Sequence, residues 1–140
     1  MGFDLIPETV IEEQDFWIMA VNRNQDLLGK TMVVLRRDCT EVVDVDLDEW
    51  TALRSEVRRL VPALKSLFQP DQLNFAFLMN LDPYVHLHVV PRYAQPRRWR
   101  GEDFVDRHWG DLFGHEQRVL NTPALAALAA EIREALHRVS

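Results

Sequence analysis

The sequence predicts an α+β domain whose sheet is mostly antiparallel. Two observations carry that reading. Apolar, β-branched runs come in pairs joined by short turn-rich stretches, and one long amphipathic stripe separates the first pair from the next. The resulting order, β-β-α-β-β-α, lacks the βαβ alternation of a dinucleotide-binding fold. Neither GxGxxG nor a GxxxxGK loop ending in Ser or Thr occurs. About five strands, one long helix between the strand pairs and a C-terminal helix account for the pattern.

Taken in order, Val10-Ile11 supplies a short first strand ahead of residues 16–21 (FWIMAV), which read as a buried strand. Residues 22–29 (NRNQDLLG) are turn-rich, and residues 31–35 (TMVVL) form a strong strand with β-branched side chains. Trp50, Leu53, Val57, Leu60, Val61, Leu64, Leu67 and Phe68 then recur at three- and four-residue spacing, one apolar stripe of a helix. Asp46 or Asp48 caps its start, with Glu49 in the favourable first turn. Pro62 lacks an amide hydrogen inside this stripe and predicts a kink or early break. Residues 73–79 (LNFAFLM) and 85–90 read as two more strands about the turn Leu81-Asp82-Pro83, and residues 92–118 read as irregular. A last helix starts near Asn121-Thr122-Pro123, with Leu125, Leu128, Ile132, Leu136 and Val139 on its apolar face.

The chain has 140 residues, which predicts one domain with a real core. A hydrophobic share of 47% and a charged share of 27% are those of a soluble globular protein. The formal net charge of −6 argues against a nucleic-acid partner, while leaving room for a small phosphorylated ligand held by local donors. Cys39 is the only cysteine, so no intramolecular disulfide and no cysteine metal cage can form, and it is expected to be a small buried side chain. The acidic stretch MGFDLIPETVIEEQ does not read as a signal peptide, and no apolar run approaches the roughly 20 residues of a membrane span. No membrane partner and a cytoplasmic location are the expectation.

The chemistry concentrates in residues 84–92 (YVHLHVVPR). Residues two apart in a strand share a face, so Tyr84, His86 and His88 lie on one side and Val85, Leu87 and Val89 on the other. Arg92, Arg97, Arg98 and Arg100 follow, interleaved with Tyr93 and Trp99, a basic and aromatic cluster in an acidic chain. A His-x-His pair alone fits a solvated sheet face or a metal-binding module. Catalytic zinc wants three protein ligands, and neither H-E-x-x-H nor a cysteine pair supplies them, although His108 and His115 could add ligands from the loop.

Residues 84–93, YVHLHVVPRY, resemble the HVHLHVVPRY pattern of the histidine triad (HIT) hydrolases and transferases. Val21-Asn22-Arg23, with Gly29 seven residues after Asn22 and then the strand 31–35, is similar to the family's first hairpin, as in the fragile histidine triad hydrolases. Asn74-Phe75 and Leu78-Met79-Asn80 are similar to the strand before the triad. The resemblance covers roughly residues 16–93. It implies a HIT-like fold: one domain over 1–140, with a core at 16–93 and a C-terminal loop and helix at 94–140.

The resemblance also implies roles. His86 is the nucleophile that attacks the α-phosphorus to give a nucleotidyl-histidine, and His88 donates a hydrogen bond to a non-bridging phosphate oxygen. A hydrogen bond from the other ring nitrogen of His86 to a backbone carbonyl would fix its reactive tautomer. Asn80 binds phosphate or leaving group and Asn22 the ribose hydroxyls, although each also fits an ordinary turn residue. Gly29 serves the turn's backbone geometry. Phe16 and Trp17 lie near a base pocket but fit plain core equally well. Arg92 fits a structural ion pair, and Arg97, Arg98 and Arg100 fit either distal phosphates or a solvated loop.

The expected substrates are dinucleoside polyphosphates or nucleoside phosphoramidates, and the expected assembly is a homodimer. No intrinsic cofactor is called for, Mg2+ entering only on a polyphosphate substrate. The pattern departs at Tyr84, where the family has its first histidine and where the side chain faces the nucleotide. A hydroxyl of pKa about 10 is a poor proton shuttle at neutral pH. Lys30 likewise stands where several members carry histidine. Both departures leave open a nucleotide-binding protein that no longer turns over.

Overall fold

The computed structural model describes residues 1–139, apart from the side chain of Val139. Its main sheet is antiparallel throughout, with strands β1 (Val10–Glu13), β2 (Trp17–Val21), β3 (Thr31–Leu35), β4 (Gln72–Ala76) and β5 (His86–Arg92) in the order β1-β2-β3-β5-β4. Helix α1 (Leu47–Phe68) joins β3 to β4, and helix α2 (Thr122–Val139) ends the chain. This is the predicted α+β class. β3 has the predicted bounds; β4 ends earlier than predicted, at Ala76, and β5 runs on to Arg92.

One face of the sheet carries Trp17, Met19, Val21, Val33, Leu35, Leu87 and Val89 into a core closed by Leu53, Leu60 and Leu64 of α1 and by Leu125, Leu128, Ile132 and Leu136 of α2. Trp17 is therefore core: its indole N–H donates to the Glu49 carbonyl at 2.8 Å, under the helix. The other face carries Ile18, Ala20, Met32, Val34, His86 and His88, as the strand pairing requires. Phe3 and Leu5, from the N-terminal segment, pack on that second face with Met32, Val34 and Tyr84.

Glu49 closes the start of α1, accepting the Asp46 amide at 2.8 Å and a two-point ion pair from Arg37 at 2.7 and 2.9 Å. The break expected at Pro62 does not occur, and α1 is continuous to Phe68. Pro62 and Arg58, whose carbonyl loses its amide partner, are both exposed. Water can satisfy that carbonyl, while buried Leu60, Ala63 and Leu64 hold the helix to the core on either side. The helix ends at Gln69 in a left-handed conformation, and Arg97 covers the last carbonyls, donating to Phe68 at 3.0 Å and Gln69 at 2.7 Å.

Residues 92–118 are not wholly irregular. They contain a hairpin of β6 (Arg97–Trp99) and β7 (Glu102–Phe104), turned by Arg100 and Gly101, both with positive φ. Helix α2 is capped as predicted, Asn121 Oδ1 accepting the Ala124 amide at 2.9 Å. The predicted apolar position at Val139 lies outside the described side chains. Among the described residues no helix is long and apolar enough to cross a membrane.

Candidate active site

Strand alternation and register build the site. β5 sets His86 beside Val34 of β3, and His88 between Met32 of β3 and Ala76 of β4. The intervening Leu87 points into the core and anchors the pair from behind. His86 is buried and His88 half-buried. The His86 Nδ1–H donates to the Tyr84 backbone carbonyl at 2.7 Å, so Nε2 of the same ring carries the lone pair. His88 Nε2 lies 3.0 Å from that nitrogen and is the donor between them. Burial first, then His86 and the Lys30 charge, push the His88 pKa down to about 4, so His88 is a neutral donor at neutral pH. The edge of the Phe3 ring meets the His86 imidazole at 4.8 Å between centroids, which shields the buried side of the nucleophile candidate.

A cavity of about 270 Å³ adjoins His88. His88 and Val90 line it from the sheet, Asn22, Asn24 and Lys30 from the β2–β3 connection, Leu78 and Leu81 from the β4–β5 connection, and residues 113–115 and 117 from the segment before α2. The fully buried Gln25 side chain organises the β2–β3 connection. It donates to the carbonyls of Asn22 at 2.8 Å and Lys30 at 2.7 Å, and accepts the Gly29 amide at 2.8 Å. Gly29 has φ +88°, and a Cβ there would sit 2.9 Å from the Phe68 ring. Lys30 Nζ is 2.7 Å from Asp26 Oδ1, both side chains being nearly covered.

The structure brings together His86, His88 and the main chain of Tyr84, with Asn22 on the cavity wall. The Asn22 side-chain oxygen accepts the Asn24 amide at 3.0 Å in an Asx turn, and its amide nitrogen makes no hydrogen bond among the described residues. Asn80 lies exposed on the β4–β5 connection, and its side chain makes no hydrogen bond among the described residues. The Tyr84 ring is half-buried in the apolar cluster of Phe3, Met32 and Val34.

The arginines downstream serve the fold. Arg92 is buried against Asp106 at 2.7 Å and also donates to Asn74, His108 and Asp111. Arg97 caps α1, Arg98 meets Asp103 at 3.4 Å, and Arg100 stacks over Trp99.

Sequence reasoning missed Phe3, Gln25 and Phe113, and weighed His115 only as a metal ligand. Phe3 and Phe113 reach the site from segments far along the chain, and Gln25 acts within its own turn, where no motif marks it. His108 pairs with Glu116 at 2.8 Å rather than joining His86 and His88. Among the described residues no group of three or more His, Cys, Asp or Glu side chains is arranged to hold a metal ion.

Residues 4–95 match the family model described as the HIT domain. A histidine triad protein from Marinobacter aquaeolei VT8 shares 20% identity over 100% of both chains, with a TM-score of 0.70. The diadenosine triphosphate hydrolase of Plasmodium falciparum shares 13% identity over 97% of this chain and 81% of its own, with a TM-score of 0.74. A hypothetical histidine triad nucleotide-binding protein from Sulfolobus tokodaii shares 16% identity over 94% and 85%, with a TM-score of 0.70. These similarities show the same fold. No curated protein matches the chain.

Proposed function

The chain belongs to the HIT domain family, and from that premise we propose that it is a hydrolase or transferase acting at the α-phosphate of nucleoside phosphates through a nucleotidyl-His86 intermediate. The observation that carries the reading is the committed tautomer of His86: Nδ1–H held by the Tyr84 carbonyl at 2.7 Å, with the Nε2 lone pair facing His88.

In the first step that lone pair forms the N–P bond, the bond to the leaving group breaks, and the leaving group departs with the electron pair. His88 Nε2–H turns from His86 to a non-bridging phosphate oxygen and stabilises the charge of the five-coordinate phosphorus. Water, or another acceptor hydroxyl in a transferase, then attacks the phosphorus. The N–P bond breaks, its electrons return to the imidazole, and the attacking oxygen loses its proton to solvent. Asn22 lends its side-chain amide nitrogen to the nucleotide. Magnesium, when present, arrives on a polyphosphate substrate. The names of the Plasmodium and Sulfolobus neighbours, a diadenosine triphosphate hydrolase and a nucleotide-binding protein, agree with this class of ligand.

A homodimer formed across the β4 edge is part of the same proposal, since β4 is an outer strand and exposes Phe75. Light scattering reads the mass directly.

The test is turnover across a panel of nucleotides for the wild type beside His86→Ala, with intact mass spectrometry of protein trapped without acid. Turnover and a nucleotide adduct are expected in the wild type and absent from the variant. Tight nucleotide binding with no adduct and no turnover replaces this reading with that of a non-catalytic binder.

A further inference from the structure

The HIT domain match begins at residue 4, yet a residue just outside it meets the nucleophile candidate. Phe3 is buried on the second face of the sheet. Its ring edge stands against the His86 imidazole at 4.8 Å between centroids, with the two planes 65° apart. Phe3 packs with Met32 and Val34, and the Tyr84 side chain lies against the same cluster. The ring therefore neighbours both residues of the hydrogen bond from His86 Nδ1–H to the Tyr84 carbonyl.

Strand register does not set this contact. Among the described residues no main-chain hydrogen bond ties residues 1–5 to the sheet. The segment is seated by its side chains and by Gly2. The Gly2 amide donates to the Asp38 carboxylate, and Gly2 lies so close to the Tyr84 ring that a Cβ there would overlap it. Phe3 and Leu5 then complete the apolar cluster.

The ring also stands apart from the ligand. His86 Nε2 faces His88, and the cavity adjoins His88 without being lined by Phe3. What Phe3 controls is the setting of the imidazole, which is only 5% exposed. Water admitted beside it would compete for the Nδ1–H and for the Tyr84 carbonyl, and the imidazole would be freer to turn.

We infer that Phe3 is a positioning residue for His86: it seals the Nδ1–H bond to the Tyr84 carbonyl from water and so keeps Nε2 aimed at the phosphorus. The inference rests on the α-phosphate reading and adds to it a residue that acts through His86 alone. Phe3 then favours formation of the N–P bond without adding to nucleotide binding.

The experiment measures kcat and KM separately and, in the resting protein, follows exchange of the His86 Nδ1 proton with water by NMR. Phe3→Ala is expected to lose about tenfold or more in kcat with KM within about threefold, and to exchange that proton about tenfold faster or more. Phe3→Leu keeps an apolar cover and is expected to bring both back to within about threefold of the wild type. Phe3 lies outside the main core, so Phe3→Ala leaves that core intact. If Phe3→Ala nevertheless fails to fold, Phe3→Ser beside Phe3→Leu carries the same comparison. A lower melting temperature with kcat and exchange unchanged makes Phe3 merely structural and overturns the inference. Lost kcat with unchanged exchange, faster exchange with unchanged kcat, or a loss carried by KM overturns it as well. If the wild type turns over no nucleotide, the α-phosphate reading fails separately, and exchange in the resting protein decides whether Phe3 seals His86.

Discussion

Arg92, the last residue of the histidine strand, and Asp106 form an ion pair sealed from solvent, Nε to Oδ2 at 2.7 Å and Nη2 to Oδ1 at 3.2 Å. Burial disfavours the Asp106 charge, but Arg92 and the amides of Tyr93 and His108 outweigh it and hold the carboxyl below its ordinary range. Asp106→Ala would strand the guanidinium, at a cost of about 3–5 kcal/mol. Urea denaturation should show that loss. Removal of the exposed Arg98–Asp103 pair should cost no more than about 1 kcal/mol.

His88 gives the pH prediction. Its folded pKa, about 4, lies below the ordinary value of 6.5, so the unfolded chain takes up the proton first as pH falls. The stability linked to this group is complete above about pH 6.5 and is lost between there and pH 4. In His88→Asn that part of the pH slope should vanish. An imidazole NMR titration of the wild type should place the His88 midpoint near 4, and a midpoint near 6.5 would contradict the burial argument.

Gly29 should not tolerate a side chain. Its φ of +88° is unfavourable for alanine, and the new methyl would press on Phe68 at 2.9 Å and Pro91 at 3.3 Å. Gly29→Ala is expected to destabilise by about 1–3 kcal/mol, seen as a lower melting temperature. It should also weaken nucleotide binding, because the same turn sets Lys30.

What the sequence made legible was periodic and local. Alternation alone put His86 and His88 on one face and Leu87 in the core, and the β-branched run at Thr31–Leu35 marked its strand without error. The acidic run offered Asp46 or Asp48 as the cap of α1 with Glu49 in its first turn, and Asp46 takes the cap. The rest depended on partners far along the chain. Pro62 is harmless only because its side of α1 faces water, and Phe3 reaches His86 from an N-terminal segment more than 80 residues away in the chain. The Arg100-Gly101 turn lacks the asparagine or aspartate that usually betrays such a hairpin.

Tyr84→Phe should leave kcat/KM within about threefold of the wild type, because the ring sits among Phe3, Met32 and Val34 and the atom bonded to His86 belongs to the main chain. A loss of a hundredfold would instead give the hydroxyl a direct part in the reaction.

That main-chain contact bears on how such a site can change over generations. A carbonyl is present whatever residue occupies position 84, so the tautomer of His86 survives any substitution that keeps the strand in place. The position is thereby open to drift, and a lineage can exchange a polar ring there for one that packs without surrendering the nucleophile.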